Sequence, residues 1–393
     1  MQAANDKIKV LQVIHGLRPG GAEKVVIDLA TRCDRNVIDM EVCCINHTGP
    51  LADELERAGI PVLMPRYPGK RSYLGTSRAL RRLIEERAPD VVHSHGDVAL
   101  FDLGPAYALS KPAPLIHTYH FGNYPHIRKR HLYAQAFYAR FADQLVAVSD
   151  HQRQAVIKHM FVPPARIHTV LNGVADRPDL SQPERVAAKR AELGLAPDDI
   201  ALGCVAVLTE QKGVTYLLQA ARKLLPRDPR LKLLIVGGGR LFEPLQQEAA
   251  ELGLGEHVIF TGWREDVREI LPALDIFVMP SLWEAMSIVL LEAMAAGCPI
   301  VATDVGDNAK FVHDGETGLI IPPRQPNALV EAVAKLVEDP QRRARFGEAA
   351  RAHYLAELTL ENMIRHYERL YRRIGRGDHA QPAMEPAPGG EAG

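Results

Sequence analysis

The chain has 393 residues, 47% of them hydrophobic and 24% charged, with a formal net charge of −1 at pH 7. That length exceeds one ordinary core and points to two domains, the composition is that of a globular protein, and no apolar run reaches the roughly 20 residues that span a bilayer. The charge is unevenly spread: residues 1–175 carry 22 Lys and Arg against 16 Asp and Glu, the remainder 25 against 32, so the front half is suited to an anionic partner or surface or simply has an ordinary solvated face. No nucleic-acid partner is expected. The opening MQAANDKIKV leads straight into a short apolar run without a basic leader or cleavage site, which predicts a cytoplasmic location. Five cysteines (Cys33, Cys43, Cys44, Cys204, Cys298) show no metal spacing and are expected to be small buried apolar residues.

In chain order, the first half reads KVLQVI (9–14), a helix from about Ala22 to Arg32, MEVCCI (40–45), a helix near 74–87, DVVHSH (90–95), PLIHTYH (114–120), QLVAVS (144–149) and IHTVLNGV (167–174). Strands alternating with helices predict right-handed βαβ units and a parallel sheet. After the polar, Pro-bearing stretch 176–199 the pattern restarts with IALGCVAVL, LKLLIVGGG, HVIFTG, DIFVMPS and PIVATD. The fold class is therefore α/β, with two doubly wound domains over 1–175 and 176–355. Ligands of such sheets bind beyond the carboxyl ends of the strands, so a cleft between the domains is the expected site. A segment 356–376 holds LTLENMIRHYERLYRRIG, an amphipathic helix with Met363, Tyr367, Leu370 and Tyr371 on one face. Residues 377–393, rich in Pro, Gly and Ala, are expected to be disordered.

Three motifs follow strands. GLRPGGAEK (16–24) places Gly20 and Gly21 at a helix start, where a backbone can approach a phosphate, or where the chain merely turns. It lacks the G-x-G-x-x-G spacing of a dinucleotide enzyme. LTEQKG (208–213) sets Lys212 at a second turn, able to give a point charge to a diphosphate or to stay solvated. DIFVMPSLWEAMSIVLLEAMAAGCPIV (275–301) places Glu284 in a loop and Glu292 more than a turn inside a helix stopped by Gly297 and Pro299. Between them the N–H groups of Ala285, Met286, Ser287 and Ile288 are expected to lack helical partners and to cradle a diphosphate. Glu292 can then take ribose hydroxyls and Glu284 sugar hydroxyls. A surface Glu beside a paired buried Glu is the plainer alternative.

In company these stretches resemble the retaining GT-B glycosyltransferases of glycosyltransferase family 4 (group 1 type), over nearly the whole chain. The resemblance is carried by GGAE (20–23), DVVHSHG (90–96), HTYH (117–120), VAVSD (146–150), LNGV (171–174), KG (212–213), the Glu284/Glu292 pair with EAMAAGCPIVATDVG (292–306), and DGETGLIIPP (314–323). It implies two Rossmann-like domains, acceptor side first and nucleotide-sugar side second, with the C-terminal helix crossing back onto the first domain. It further implies Glu284 on the donor sugar, Glu292 on the ribose, Lys212 on the diphosphate, Gly20 and Gly21 in a phosphate-covering loop, His120 beside the donor sugar, and Thr261, Gly262, Trp263 and Arg264 at the base. His95, like His93, ends another strand and is an acceptor-side or a structural residue.

The departures are specific. Val207 stands where the family has an arginine five positions before the lysine, which means weaker donor binding, compensation by another base such as Arg18, or lost activity. Ala285, Met286 and Ser287 replace the usual glycines, and Lys310 replaces a common acidic residue. The implied reaction is a metal-independent hexosyl transfer from a UDP- or GDP-sugar, without a resident cofactor and with no Asp-x-Asp motif to hold a metal, to a glycan, lipid-linked or small-molecule acceptor in polysaccharide or glycoconjugate synthesis. A catalytically silent partner subunit that binds nucleotide or glycan is the alternative, with Val207 as its support; a GT-B sugar-nucleotide epimerase is a third reading that the Glu284/Glu292 pair disfavours. PHIRKRHLYAQAFYARF (125–141) interleaves cations with Ile127, Leu132, Tyr133, Phe137 and Phe141, either as a helix lying peripherally on the inner face of an anionic membrane or as core aromatics under a solvated basic face.

Overall fold

The computed structural model describes residues 7–67, 72–120 and 129–377; the expected disordered tail and residues 125–128 of the basic segment lie outside them. Two compact units are formed, one from residues 1–172 with 361–393, the other from 173–360.

Unit 1 is built on seven strands: β1 (Ile8–Gly16), β2 (Ile38–His47), β3 (Val62–Leu63), β4 (Val91–His95), β5 (Leu115–Tyr119), β6 (Gln144–Ala147) and β7 (Ile167–Thr169). They pair in the order β3-β2-β1-β4-β5-β6-β7, and every pairing is parallel. Unit 2 has six: β8 (Ile200–Val205), β9 (Leu231–Val236), β10 (Val258–Gly262), β11 (Ile276–Met279), β12 (Ile300–Thr303) and β13 (Gly318–Ile321), ordered β10-β9-β8-β11-β12-β13, again all parallel. Helices on both faces bury the central strands, which is why β8 and β11 read as continuous apolar or small-residue runs rather than as alternations, while β4, equally buried, carries His93 and His95. Sequence reading misses β3 and β13. Both are short edge strands, β3 two residues long and β13 four, and the apolar Leu319–Ile321 of β13 reads only as part of the motif DGETGLIIPP.

Strand order reverses between β1 and β4 in unit 1 and between β8 and β11 in unit 2. Loops at such reversals open a crevice at the carboxyl edge of the sheet. In unit 2 that edge brings together the loops carrying Lys212 and Glu284.

The units part at Asn172/Gly173 and Leu360/Glu361, a few residues from the boundaries at 175/176 and 355/356 read from composition. The reason is a backbone clasp. Val174 N–H donates to Leu358 O at 3.2 Å, and Leu360 N–H donates to Val174 O at 2.9 Å, so the segment entering unit 2 is paired with the segment leaving it.

The last helix, Leu360–Gly375, belongs to unit 1 from Glu361 onward and buries Met363, Tyr367, Leu370 and Tyr371. Its tyrosines reach into the sheet: Tyr371 Oη lies 2.7 Å from His93 Nδ1, and Tyr367 Oη 3.3 Å from Thr118 Oγ1, which itself lies 2.8 Å from His93 Nε2. Replacing Tyr371 with Phe leaves the fully buried His93 Nδ1 without a partner and should cost about 1–3 kcal/mol. Denaturant unfolding of Y371F against wild type checks this; an unchanged midpoint would remove the hydroxyl from the account.

Candidate active site

In unit 2 the loop after β8 ends at Gly213, whose φ is +61° and whose added Cβ would lie 2.1 Å from Pro280 O. A side chain there would be both strained and blocked, so the glycine lets the Lys212 loop lie directly on the loop after β11. Leu282 N–H donates to Gln211 O at 2.7 Å, and Gln211 Nε2 donates to Trp283 O at 3.0 Å. From the other side Gly306 (φ +59°) places its Cα against Glu284 O, which an added Cβ would approach to 2.5 Å, and Thr303 Oγ1 donates to Ser281 O at 2.6 Å. Three loops, after β8, β11 and β12, are thus one interlocked layer.

Glu284 sits inside that layer, 5% exposed. Its Oε1 accepts from Lys212 Nζ at 2.5 Å and from Ser281 Oγ at 2.7 Å, and its Oε2 accepts from Gln211 Nε2 at 3.3 Å. The carboxylate expected on sugar hydroxyls and the lysine expected on a diphosphate are therefore each other's partners here. Such a pair is chemically able to exchange partners, the lysine with an anion and the carboxylate with hydroxyl donors.

The helix carrying Glu292 runs Ile288–Ala295 with Ser287 at its N-cap and no side chain bonded to its end. Its unpaired donors are therefore those of Ser287, Ile288, Val289 and Leu290, with Leu291 N–H the first to bond back, to Ser287 O at 3.4 Å. This corrects the sequence expectation by half a turn: Ala285 and Met286 precede the helix as buried loop residues, because the chain is still wrapping around Gly306. Glu292 accepts from Arg268 Nε at 3.0 Å. Arg268, on the short helix Val267–Ile270, was not found by sequence reasoning; no motif marks it. Nor were Gln211 and Ser281, although both flank residues that were singled out.

Trp263, half exposed, and Gly262 line an open groove of about 530 Å³ with Gly238, Gly239 and Arg240. Arg264 turns elsewhere, chelating Asp266 with Nε at 2.7 Å and also pairing with Glu192; these carboxylates push its already high pKa up further. Its guanidinium is committed to structure. Val207 is exposed, and Arg18, the named substitute cation, belongs to unit 1. Arg240 pairs only loosely, 3.6 Å from Glu210, with both side chains exposed.

In unit 1, Gly20 takes an extended conformation (φ −176°) as N-cap of the helix Gly21–Arg32, with no side-chain cap. His95 ends β4 and His120 follows β5; His95 Nδ1 lies 3.1 Å from His120 Nε2. His93 and His117 lie behind them. Burial lowers all four: His120 to about 4 and His117 to about 3 by desolvation first, His93 and His95 well below their ordinary value by the same cause, with neighbouring imidazoles adding to it. His95 is only 2% exposed and offers an acceptor little surface. Asp97, two residues on, is pushed up to about 6 by burial, against which a hydrogen bond from Gln135 works.

Family models described as "Glycosyl transferases group 1" and "Glycosyltransferase Family 4" match residues 186–353 and 19–177. A "D-inositol 3-phosphate glycosyltransferase 2" of Catenulispora acidiphila is 30% identical over 374 residues, covering 85% of this chain and 86% of its own. The chain belongs to the family 4 glycosyltransferases. A second relative of this glycosyltransferase, the UDP-Gal:alpha-D-GlcNAc-diphosphoundecaprenol alpha-1,3-galactosyltransferase of Escherichia coli, is 24% identical over 351 residues, covering 86% and 90% of the two chains. The HepE protein of Anabaena, solved with UDP-glucose, superposes with a TM-score of 0.83 over 93% of this chain and 99% of its own at 24% identity. That likeness gives the glycosyltransferase the GT-B fold.

Two measurements test this geometry. Lys212→Met strands the Glu284 carboxylate in a buried site and should destabilise by about 3–5 kcal/mol; the K212M/E284Q double variant should recover much of that loss in equilibrium unfolding. For the histidines, a folded pKa below the unfolded value means that stability is complete above about pH 6.5 and is lost as pH falls from there toward 4, by at most about 1.4 kcal/mol per pH unit for each ring. Asp97, with a raised pKa, acts oppositely, losing stability as pH rises through 4 to 6. The net expectation is a transition midpoint that falls between pH 6.5 and 5, while D97N gains stability over wild type from about pH 4 upward, its advantage growing through about pH 6; a flat profile would refute neutral buried imidazoles.

Proposed function

We propose that the protein is a retaining, metal-independent hexosyltransferase that uses a UDP-sugar and a lipid-linked acceptor in glycoconjugate assembly. The observation that carries this is the Lys212–Glu284 pair beside the uncapped N-terminus of the Glu292 helix. Helix N–H groups and a lysine at one sheet edge suit a diphosphate, whose developing negative charge is the main quantity to stabilise when it leaves. In this reading the bond from the anomeric carbon to the diphosphate oxygen breaks, the acceptor oxygen bonds to that carbon on the same face, and the acceptor's proton passes to the departing diphosphate.

Lys212 moves from Glu284 to the diphosphate as donor binds, and Glu284 turns to sugar hydroxyls. Glu292, held by Arg268, receives the ribose hydroxyls. Trp263 and Gly262 take the base, Arg240 supplies the cation missing at Val207, Gly20 and Gly21 cover phosphate, and His120 serves the transferred sugar. A UDP-sugar is favoured over a GDP-sugar because the E. coli relative is named for UDP-Gal and HepE was solved with UDP-glucose. The diphosphoundecaprenol in the former's name favours a lipid-linked acceptor. No helix among the described residues is long and apolar enough to cross a membrane, so access to such an acceptor is assigned to the basic helix Lys129–Tyr138. There Leu132 packs into the unit 1 core, as does Phe141 just beyond, while Tyr133 and Phe137 stay exposed.

A thermal-shift screen of UDP, GDP and their sugars tests the donor, since a ligand at about 100 times its dissociation constant adds about 2.7 kcal/mol. UDP compounds should shift the transition and E292A should weaken that shift. With the donor found, K212A and E284A should reduce transfer about 100-fold or more, and EDTA should not. Wild-type binding without transfer or donor hydrolysis would reduce the protein to a silent binder, the reading that Val207 favours. Flotation with anionic but not neutral liposomes tests the surface.

A further inference from the structure

His95 and His120 constrain each other's protons. Their rings stack with centroids 5.4 Å apart and 21° between planes, and His95 Nδ1 faces His120 Nε2 at 3.1 Å. Both rings are neutral near pH 7, and a neutral imidazole carries one N–H. The two facing nitrogens share a single proton, which allows two arrangements. In one, His95 donates from Nδ1 to His120 Nε2, and His120 must then carry its own proton on Nδ1. In the other, His120 donates from Nε2 and keeps Nδ1 bare, while His95 carries its proton on Nε2.

The far side of His95 decides between them. His95 Nε2 is buried and has no hydrogen-bond partner. The ring of His93 lies 3.9 Å away by centroids, tilted by 41°, but both its nitrogens are taken, by Tyr371 and Thr118. The second arrangement would bury an N–H with nothing to receive it, and orphaned buried donors are rarer than unfilled acceptors. The first leaves only a lone pair unfilled.

We infer that His95 is a positioning residue that fixes the tautomer of His120, so that His120 meets the transferred sugar as an Nδ1–H donor and not as a base. With Nε2 accepting from His95 and Nδ1 protonated, His120 has no lone pair to take the acceptor's proton, which is left to the departing diphosphate. The inference rests on the assignment of His120 to the sugar made above.

The full chain labelled with ¹⁵N-histidine gives the first test. Long-range ¹H–¹⁵N correlation at pH 7.5, with His120 assigned by its loss in H120A, should show His120 in the Nδ1–H form; an Nε2–H form overturns the inference. Second, H95L removes the donor, whereas the amide of H95N presents an N–H close to where Nδ1 was. H95L should lower kcat about tenfold with little change in the donor's KM, and H95N should recover most of the loss. Equal impairment of both, with H95N folded, counts against it. Should H95L not fold, the wild-type spectrum and H95N still decide. Unchanged transfer by H120A would overturn the reading of His120 itself, a failure visible separately from the spectrum.

Discussion

A carboxylate taken out of water must find charge and donors, and in unit 2 that requirement organises the sheet edge. Glu284 obtains a lysine, a hydroxyl and an amide from two loops, and those loops can meet only because Gly213 and Gly306 let backbone lie on backbone. The same arrangement holds Lys212 in place while keeping it exchangeable. A permanent partner of better geometry would make the lysine unavailable, and no partner would leave the layer without its central tie. Ion pairs of this sort add little net stability against an apolar filling, but their disruption is costly, so they mark positions where function outweighs packing.

Unit 1, taken by itself, carries the opposite chemistry at its strand ends. Its strand ends present neutral imidazoles rather than ions, kept uncharged first by burial and, for His93 and His95, further by neighbouring rings. If His120 serves the transferred sugar as proposed, an uncharged donor suits a carbon that develops positive charge, which a cationic histidine would oppose. The contrast between the units is in where titratable groups lie: an ion pair at the sheet edge of unit 2, uncharged imidazoles at the strand ends of unit 1.

Much of this was legible in the sequence. Alternating runs fixed the two parallel sheets, and the spacing of Glu284 and Glu292 put one in a loop and the other in a helix, as found. What escaped was relational. Arg268 is an ordinary arginine on a helix of four residues, and only the fold brings it to Glu292. Arg264 sits in a motif position, but Asp266 two residues later and Glu192 far upstream claim it. The half-turn shift of the Glu292 helix reflects Gly306, twenty-two residues beyond Glu284 in sequence, holding the preceding loop open. Edge strand β3 is too short to read, and β13, although apolar, is legible only as part of a motif.

The last helix has a consequence for biosynthesis. Unit 1 is encoded first, yet it lacks residues from 361 onward until the ribosome has made all of unit 2. Until then the places of Tyr367 and Tyr371 are empty, and His93 and Thr118 face solvent or transient partners. Unit 2, contiguous in the chain and closed by its own backbone clasp at Val174, can fold while the first-made unit waits. Unit 1 is thus completed only after the whole of unit 2 has been synthesised.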